Sequence, residues 1–514
     1  MSTLCFLLSL FAFVQCACSV AISADKRTRT SIFPDLYEAS VLELQVGLEQ
    51  GQFSSVDLVK ASVYQAYFAR IEEVNLKGPE LRAVLELNQL APTQAEALDR
   101  ERRLKGARSP STLVSEGLNT TAGSFALLKS VVPDDAEVVK RLRAAGAIIL
   151  GAVSHQAGLL VVAKQRTRII LERIQCGSSS GSAIAASIGL VAVAIGTETD
   201  GSITCPASNN NIVGIKPTVG LTSRTGVIPV SKHQDTVGPL ARSVADAAAV
   251  LSVIAGPDPN DNFTLAQPVP APDFSRALDA NALQGARIGV PRRVFLNDSI
   301  SGNDPFVNQA FEEAIRTIEG LGATVVDPAD LPSADEIPVS KNESLVLAVD
   351  FKVQINAYFN ALLKNPTGVR NLADLIAFDN ADAVLEEPAG FMDQSMFTIS
   401  ESTNGFNVTY FQASAHDREL GGSRGIDAAL KAYNLDALIL PAPASGFTTV
   451  PPGPLTVYPA PGVPIGLAFI GTAFSDFDLI SYAYAYEQKT RTRLARKAYV
   501  AAIPKTQLED VVGH

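Results

Sequence analysis

The sequence predicts an α/β fold built around a mostly parallel or mixed β-sheet. Three observations predict it. Helix-like stretches run into short apolar segments three times: Asp134–Ala145 into Ala147–Leu150, Phe306–Leu321 into Ala323–Val326, and Ile426–Lys431 into Ala437–Leu440. That alternation is the pattern of helices packed on strands of one sheet. The chain has 514 residues, 47% of them hydrophobic, so it can bury a large core. Its 36 Gly and 30 Pro are spread along the length, which excludes a low-complexity chain.

Taken in order, the chain begins with the apolar run Leu4–Cys18, followed by Ser19-Val20-Ala21 and a first acidic residue at Asp25. The run has the length of a signal-peptide core and is short for a bilayer span. Residues 1–21 are therefore expected to be a signal peptide and residues 22–514 a single domain, secreted to the extracellular space. The sequons at Asn262, Asn297, Asn342 and Asn407 fit a secreted glycoprotein, whereas a glycan on Asn119 would clash with the apolar stretch that follows. With the signal removed, Cys176 and Cys205 remain. They can pair if the fold brings them within reach; two buried free thiols are the expectation.

Leu36–Leu104 reads as helical, opened by a capping box at Ser40-Val-Leu-Glu43. In Asp134–Ala145 an acidic start and a basic end suit the helix dipole, and Gly146 is placed to end it. Asp258–Pro272 and Pro441–Pro464 are turn-rich and read as loops. Leu345–Ser402 carries Phe351, Tyr358, Phe359, Phe391 and Phe397, which suit an apolar pocket wall or a core helix equally well.

The net charge of −11 argues against a nucleic-acid partner, because phosphate binding needs clustered Lys and Arg. A small neutral molecule is the easier partner, and oligomeric state is not legible. Four His and two mature Cys without paired spacing support no metal site, and no cofactor is implied.

Chemistry concentrates in Cys176–Pro229. Two Ser/Gly-rich turns, Gly177–Ser182 and Asp200–Ser202, flank a small-residue helix and an apolar strand at Leu190–Ile195. A P-loop ending and dinucleotide-type glycine spacing are both missing, so a phosphate cradle is disfavoured. A hydroxyl beside backbone N–H groups freed by glycine is what acyl transfer requires. The segment resembles the amidase-signature enzymes, through Gly177-Ser178-Ser179-Ser180-Gly181 and Thr197–Pro206, with Ser178 and Ser202 24 positions apart. The likeness continues at Gly214–Thr218 and Asp235–Pro239, and in Asn119–Gly123, Val138–Gly151, Asp436–Pro441 and Pro464–Thr490.

The resemblance, to amidases of the secreted fungal type, implies a large mixed β-sheet flanked by helices on both faces. It implies hydrolysis of a carboxamide to carboxylate and amine or ammonia through a seryl acyl-enzyme. Ser202 would attack the carbonyl, and Ser178, held by a cis peptide, would relay the proton and contact substrate together with Thr199. The backbone N–H groups of Thr199, Asp200, Gly201 and Ser202 would form the oxyanion hole. The family's base is a lysine just before the motif seen here as Thr120–Ser124, and that stretch is missing between Pro110 and Ser111. Lys105, Lys129 and Lys216 are not convincing substitutes. Leu159–Gln175 also departs from the pattern, and the chain has no Trp. Two alternatives follow: an impaired pseudo-amidase, or a defective gene reading. A third takes Ser179 as a G-x-S-x-G nucleophile, with His233 or His416 as base.

Overall fold

The computed structural model describes residues 33–59, 66–105, 118–153, 177–296, 305–387, 393–442, 464–495, 497–498 and 500–512. From Phe33 onward the chain forms one compact unit. The apolar run Leu4–Cys18, Cys176, Asn297, Phe391 and most of the Pro441–Pro464 loop lie outside the described residues. Among the described residues no helix is long and apolar enough to cross a membrane.

The Ser40 capping box opens the Val41–Glu49 helix: Ser40 Oγ accepts from the Glu43 N–H, and Glu43 answers on the Ser40 N–H. The stretch to Leu104 is not wholly helical. A strand, β1 (Val84–Leu87), interrupts it and pairs antiparallel with β2 (Gly151–Val153). Helical spacing on either side hid a four-residue extended segment, which is too short to show its own period. The helix expected at Asp134–Ala145 covers Glu137–Ala144 and ends at Gly146, whose φ is +88°. The following apolar residues Ala147–Leu150 are not a strand; pairing begins one residue later, at Gly151.

Mixed pairing appears as expected, with the described strands grouped in three ladders. The first is β1–β2. The second is antiparallel, in the order β3 (Val193–Glu198), β5 (Thr236–Ala241), β4 (Val213–Gly214). The third runs β7 (Thr324–Val326), β6 (Arg287–Gly289), β8 (Ala437–Ala442), β9 (Gly466–Ile470); β6 is parallel to β7 and β8, and β9 is antiparallel to β8. The observed β3 begins three residues later than the apolar run at Leu190.

Alternation along each strand puts helices on both faces. Ala437 and Ile439 pack with Phe311 and Ile318 of the Pro305–Gly320 helix, and with Ala485 of the Asp476–Thr490 helix. Leu438, pointing the other way, meets Ala429 of the Asp427–Tyr433 helix. In the second ladder Val237 joins Val138, Leu142, Leu251 and Ile254 on one side. On the other side Ala194 and Leu240 join Ala183, Ala186, Ile203 and Ala207. That second face carries the two Ser/Gly turns.

Two buried arginines fasten this face to remote parts of the chain. Arg70, 0% exposed, donates to the carbonyls of Gly189 (2.7 Å), Ile188 (3.1 Å) and Thr506 (2.6 Å). Burial pulls its guanidinium down to about 10. Arg242 donates to Ala186 and Val191, and also to Ala39. Of the aromatics expected as pocket wall or core, the four that are described pack in a core cluster. Phe359 with Phe351, Tyr358 and Phe397 packs against Ala126 and Leu127, and none of them lines the cavity between the two serine turns.

Candidate active site

The Ser180–Ser187 helix consists almost entirely of small residues, so it lies close against β3. Ser182 Oγ donates to the Ile195 carbonyl at 2.8 Å. Gly196 is needed there, because a Cβ at that position would fall 2.7 Å from Ser179 Oγ and 2.6 Å from Leu240. Immediately before the helix, the Gly177–Ser178 peptide is cis.

At the far end of β3 the chain turns through Thr199–Ile203 into the Thr204–Asn209 helix. Gly201 sits at φ +76°, a left-handed conformation that glycine adopts without a Cβ penalty. Glu198, 4% exposed, shapes the turn from inside. Its carboxylate accepts from the N–H groups of Gly201 (3.0 Å), Ile203 (2.7 Å) and Thr204 (2.9 Å). The two serine turns are tied directly, the Ser179 N–H donating to the Ser202 carbonyl at 3.1 Å.

Ser178 and Ser202 line one cavity of about 1800 Å³, together with Gly177, Asp200, Gly201 and Cys205. Among the described residues neither hydroxyl has a hydrogen-bond partner. The structure therefore brings together the two serines that the spacing singled out.

One of the four backbone N–H groups expected to form an oxyanion hole is already occupied. The Gly201 N–H is engaged by Glu198 and is not free for a substrate oxygen; Thr199, Asp200 and Ser202 are left as candidate donors. Thr199 also differs from expectation, since its hydroxyl donates to Asp235 Oδ1 at 2.5 Å and is not open to substrate. The other Asp235 oxygen accepts from the N–H groups of Val230 and Ser231. Burial lifts the Asp235 carboxyl above its ordinary value, and these hydrogen bonds only partly offset it. Asp200 is raised as well, by burial first and then by Glu343 and Glu198.

Cys205 corrects another expectation: it is disulfide-bonded, not a free thiol, and its partner lies outside the described residues. Spacing in sequence carries no information on which thiols come within disulfide reach. Ser179 is unsuited to be a nucleophile. It is 3% exposed, and its hydroxyl donates to the Thr197 carbonyl (3.1 Å) and accepts from the Thr197 N–H (3.2 Å). His416 lies beside Glu419 and His233 is bound to Asp350, while the Ser179 hydroxyl is engaged by the Thr197 backbone.

Of the three lysines considered, Lys216 lines the cavity but is exposed, and its Nζ donates to the adjacent Pro217 carbonyl. Lys129 is exposed at the end of a turn. Lys105 ends the Ala91–Lys105 helix, and its side chain lies outside the described residues. Among the described residues no group of His, Cys, Asp and Glu is arranged to hold a metal ion. Sequence reasoning missed Glu198 as an organiser of the site. A carboxylate inside an otherwise apolar strand end was the available signal.

Comparison with known proteins bears on this geometry. A family profile described as Amidase matches residues 62–452. A putative amidase of Arthroderma benhamiae is 35% identical over 538 residues, covering 93% of this chain and 90% of the relative. That alignment is longer than the 514-residue chain, so the relative carries stretches with no counterpart in this sequence. A probable amidase of Arabidopsis thaliana is 36% identical, covering 92% of this chain and 94% of the relative. Among solved structures, the native peptide amidase of Stenotrophomonas maltophilia superposes with a TM-score of 0.74 at 36% identity, over 91% of this chain and 99% of that one.

Proposed function

The chain belongs to the amidase family, and from that premise we propose that Ser202 is its acylating nucleophile and Ser178 its proton relay. The protein is a hydrolase of carboxamide carbon–nitrogen bonds. One observation carries the residue assignment: both serines line one cavity, on two turns joined by the Ser179 N–H to Ser202 carbonyl bond.

In this reading Ser202 Oγ attacks the amide carbon and its proton leaves through Ser178 Oγ toward the leaving nitrogen. The negative oxygen that forms is met by the N–H groups of Thr199, Asp200 and Ser202, while Glu198 keeps the turn that aims them. Expulsion of the amine leaves an acyl-Ser202 ester, which water hydrolyses to the carboxylate. A serine hydroxyl is weak at its own pKa and needs a base. The family's lysine stretch is the one this sequence lacks. Neither the pseudo-amidase nor the Ser179 alternative is favoured by the comparisons.

The substrate we assign is a carboxamide of peptide-like size. Support comes from the cavity volume and from likeness to a protein described as a peptide amidase. The reading of residues 1–21 as a signal peptide, residues 22–514 as one domain and the product as a secreted glycoprotein belongs to the same proposal. Exposed Asn262 and Asn407 support it, and a glycosidase-sensitive mass on the secreted protein would test it.

Covalent labelling tests the nucleophile. A fluorophosphonate probe should label the protein at Ser202, with labelling lost in Ser202→Ala and kept in Ser179→Ala; the reverse pattern would sink the assignment.

A further inference from the structure

His233 sits in the turn that also holds Asp235, the residue that receives the Thr199 hydroxyl. Its imidazole lines the cavity containing Ser178 and Ser202, and 23% of the side chain remains exposed. Asp350 Oδ2 holds Nδ1 at 2.7 Å, and the Tyr410 hydroxyl lies 3.3 Å from the same nitrogen. Asp350, on the Asn342–Ala361 helix, has a fully buried side chain and accepts from Ser231 Oγ (2.6 Å) and Tyr410 Oη (2.7 Å) as well. Burial by itself would raise this carboxyl, yet the hydrogen bonds from His233, Ser231 and Tyr410 outweigh it and keep the group below its ordinary value.

An ionised carboxylate can only accept, so Nδ1 carries the proton in the neutral ring and Nε2 keeps its lone pair. Among the described residues Nε2 has no partner. Phe263, another cavity residue, stands edge-on to the ring at 5.7 Å. Groups from the 230s turn and from two distant helices thus fix the orientation of one imidazole. They leave Nε2 as the acceptor of the neutral ring, on a residue that lines the cavity and keeps part of its side chain exposed.

We propose that His233 Nε2 accepts a hydrogen bond from a backbone N–H of a peptide-like amide substrate, which makes His233 a specificity-determining residue. This rests on the amide-hydrolase function proposed for the serine pair and adds the part of the substrate that is recognised. Asp350, Ser231 and Tyr410 are positioning residues that act through the imidazole. A substrate alkylated at that nitrogen leaves the acceptor unpaired and is rejected.

The test uses an N-acetyl dipeptide methyl ketone, which cannot be hydrolysed, and analogues methylated singly at each backbone nitrogen. Each is titrated calorimetrically into the full chain and into H233N and H233Q. Asn retains an N–H near the Nδ1 position for Asp350 but has nothing at the Nε2 position, whereas Gln restores an acceptor there. The wild type should bind the parent about fivefold more tightly than one methylated analogue. H233N should bind that pair alike, and H233Q should recover part of the preference. A wild type indifferent to every methylation overturns the proposal without recourse to a variant, and so does an undiminished preference in H233N. Binding of none of the probes to the wild type is a distinct result, and it overturns the peptide-amide reading along with this one.

Discussion

Two regions meet at the cavity and are built by different rules. From Gly177 to Ala241 the site is assembled by short-range backbone geometry: a cis peptide, a left-handed glycine, a small-residue helix and a carboxylate that collects three N–H groups. From Asn342 to Arg418 it is helical, and it reaches the site through single long side-chain contacts such as Asp350 to His233. The first region places the two serines proposed to react. The second places one ring. Chemistry that depends on backbone donors tolerates little variation in spacing, whereas a helix delivers a side chain from almost any sequence that packs.

The largest expected effect concerns the base that the serines of the first region need, which the family carries on a stretch outside it. Inserting the family's lysine stretch between Pro110 and Ser111 should raise kcat by about 10²- to 10⁴-fold, the usual contribution of a general base. No gain on a chromogenic anilide would show that the serine pair already has its base. Sequencing the transcript across Leu104–Gly117 and Gly151–Cys176 asks the same question of the gene: an insertion restoring the lysine would mark the 514-residue chain as a defective reading of it.

Next comes Glu198→Ala, which leaves three N–H groups of the Gly201–Thr204 turn without their acceptor. Stability should fall by about 3 kcal/mol or more in denaturant titration, with Ser202 labelling lost as well. A variant that labels normally would mean that the turn holds its shape unaided.

Ser179→Ala probes the same region more gently. One buried hydroxyl with two partners is removed, so the expected cost is about 1–2 kcal/mol with labelling retained. Loss of labelling without loss of stability would reopen the Ser179 nucleophile.

In the helical region the smallest effect is a pH effect. Asp379 is pushed up to about 6, by burial first and then by Glu386 and Glu387, and its Oδ1 is buried without a partner. A carboxyl raised on folding favours the folded state at low pH, and that contribution fades as pH rises through about 6. Asp379→Asn should therefore raise Tm at pH 7.5 and do little at pH 4.5. Equal shifts at both values would remove the burial argument.

Much of this was legible in the residues. The Ser40 box, the glycine that ends Glu137–Ala144, and the helix-to-strand pairs before β7 and β8 are local signals, and they appear where expected. Ser178 and Ser202 stood out through the resemblance of their two turns to the amidase-signature pattern, which their 24-residue separation matches. What escaped was either too short or too distant. Four residues at β1 cannot display a period, and the onset of β2 one residue past the apolar run depends on its partner strand. The Gly201 N–H reads as a free donor until Glu198 is seen folded beneath it. His233 and Asp350 are 117 positions apart, and no pattern in sequence links them.

Arg70 also bears on the order in which the molecule can be completed. The backbone just behind the Ser180–Ser187 helix, at Ile188 and Gly189, is held by a side chain that also donates to the Pro504 and Thr506 carbonyls. During synthesis from the N-terminus, Arg70 and the serine turns leave the ribosome long before Thr506 does. Until then the Ile188 and Gly189 carbonyls are present and the Pro504 and Thr506 carbonyls are not. The clamp closes only once nearly the whole chain has emerged, so the site reaches its final rigidity at the end of translation.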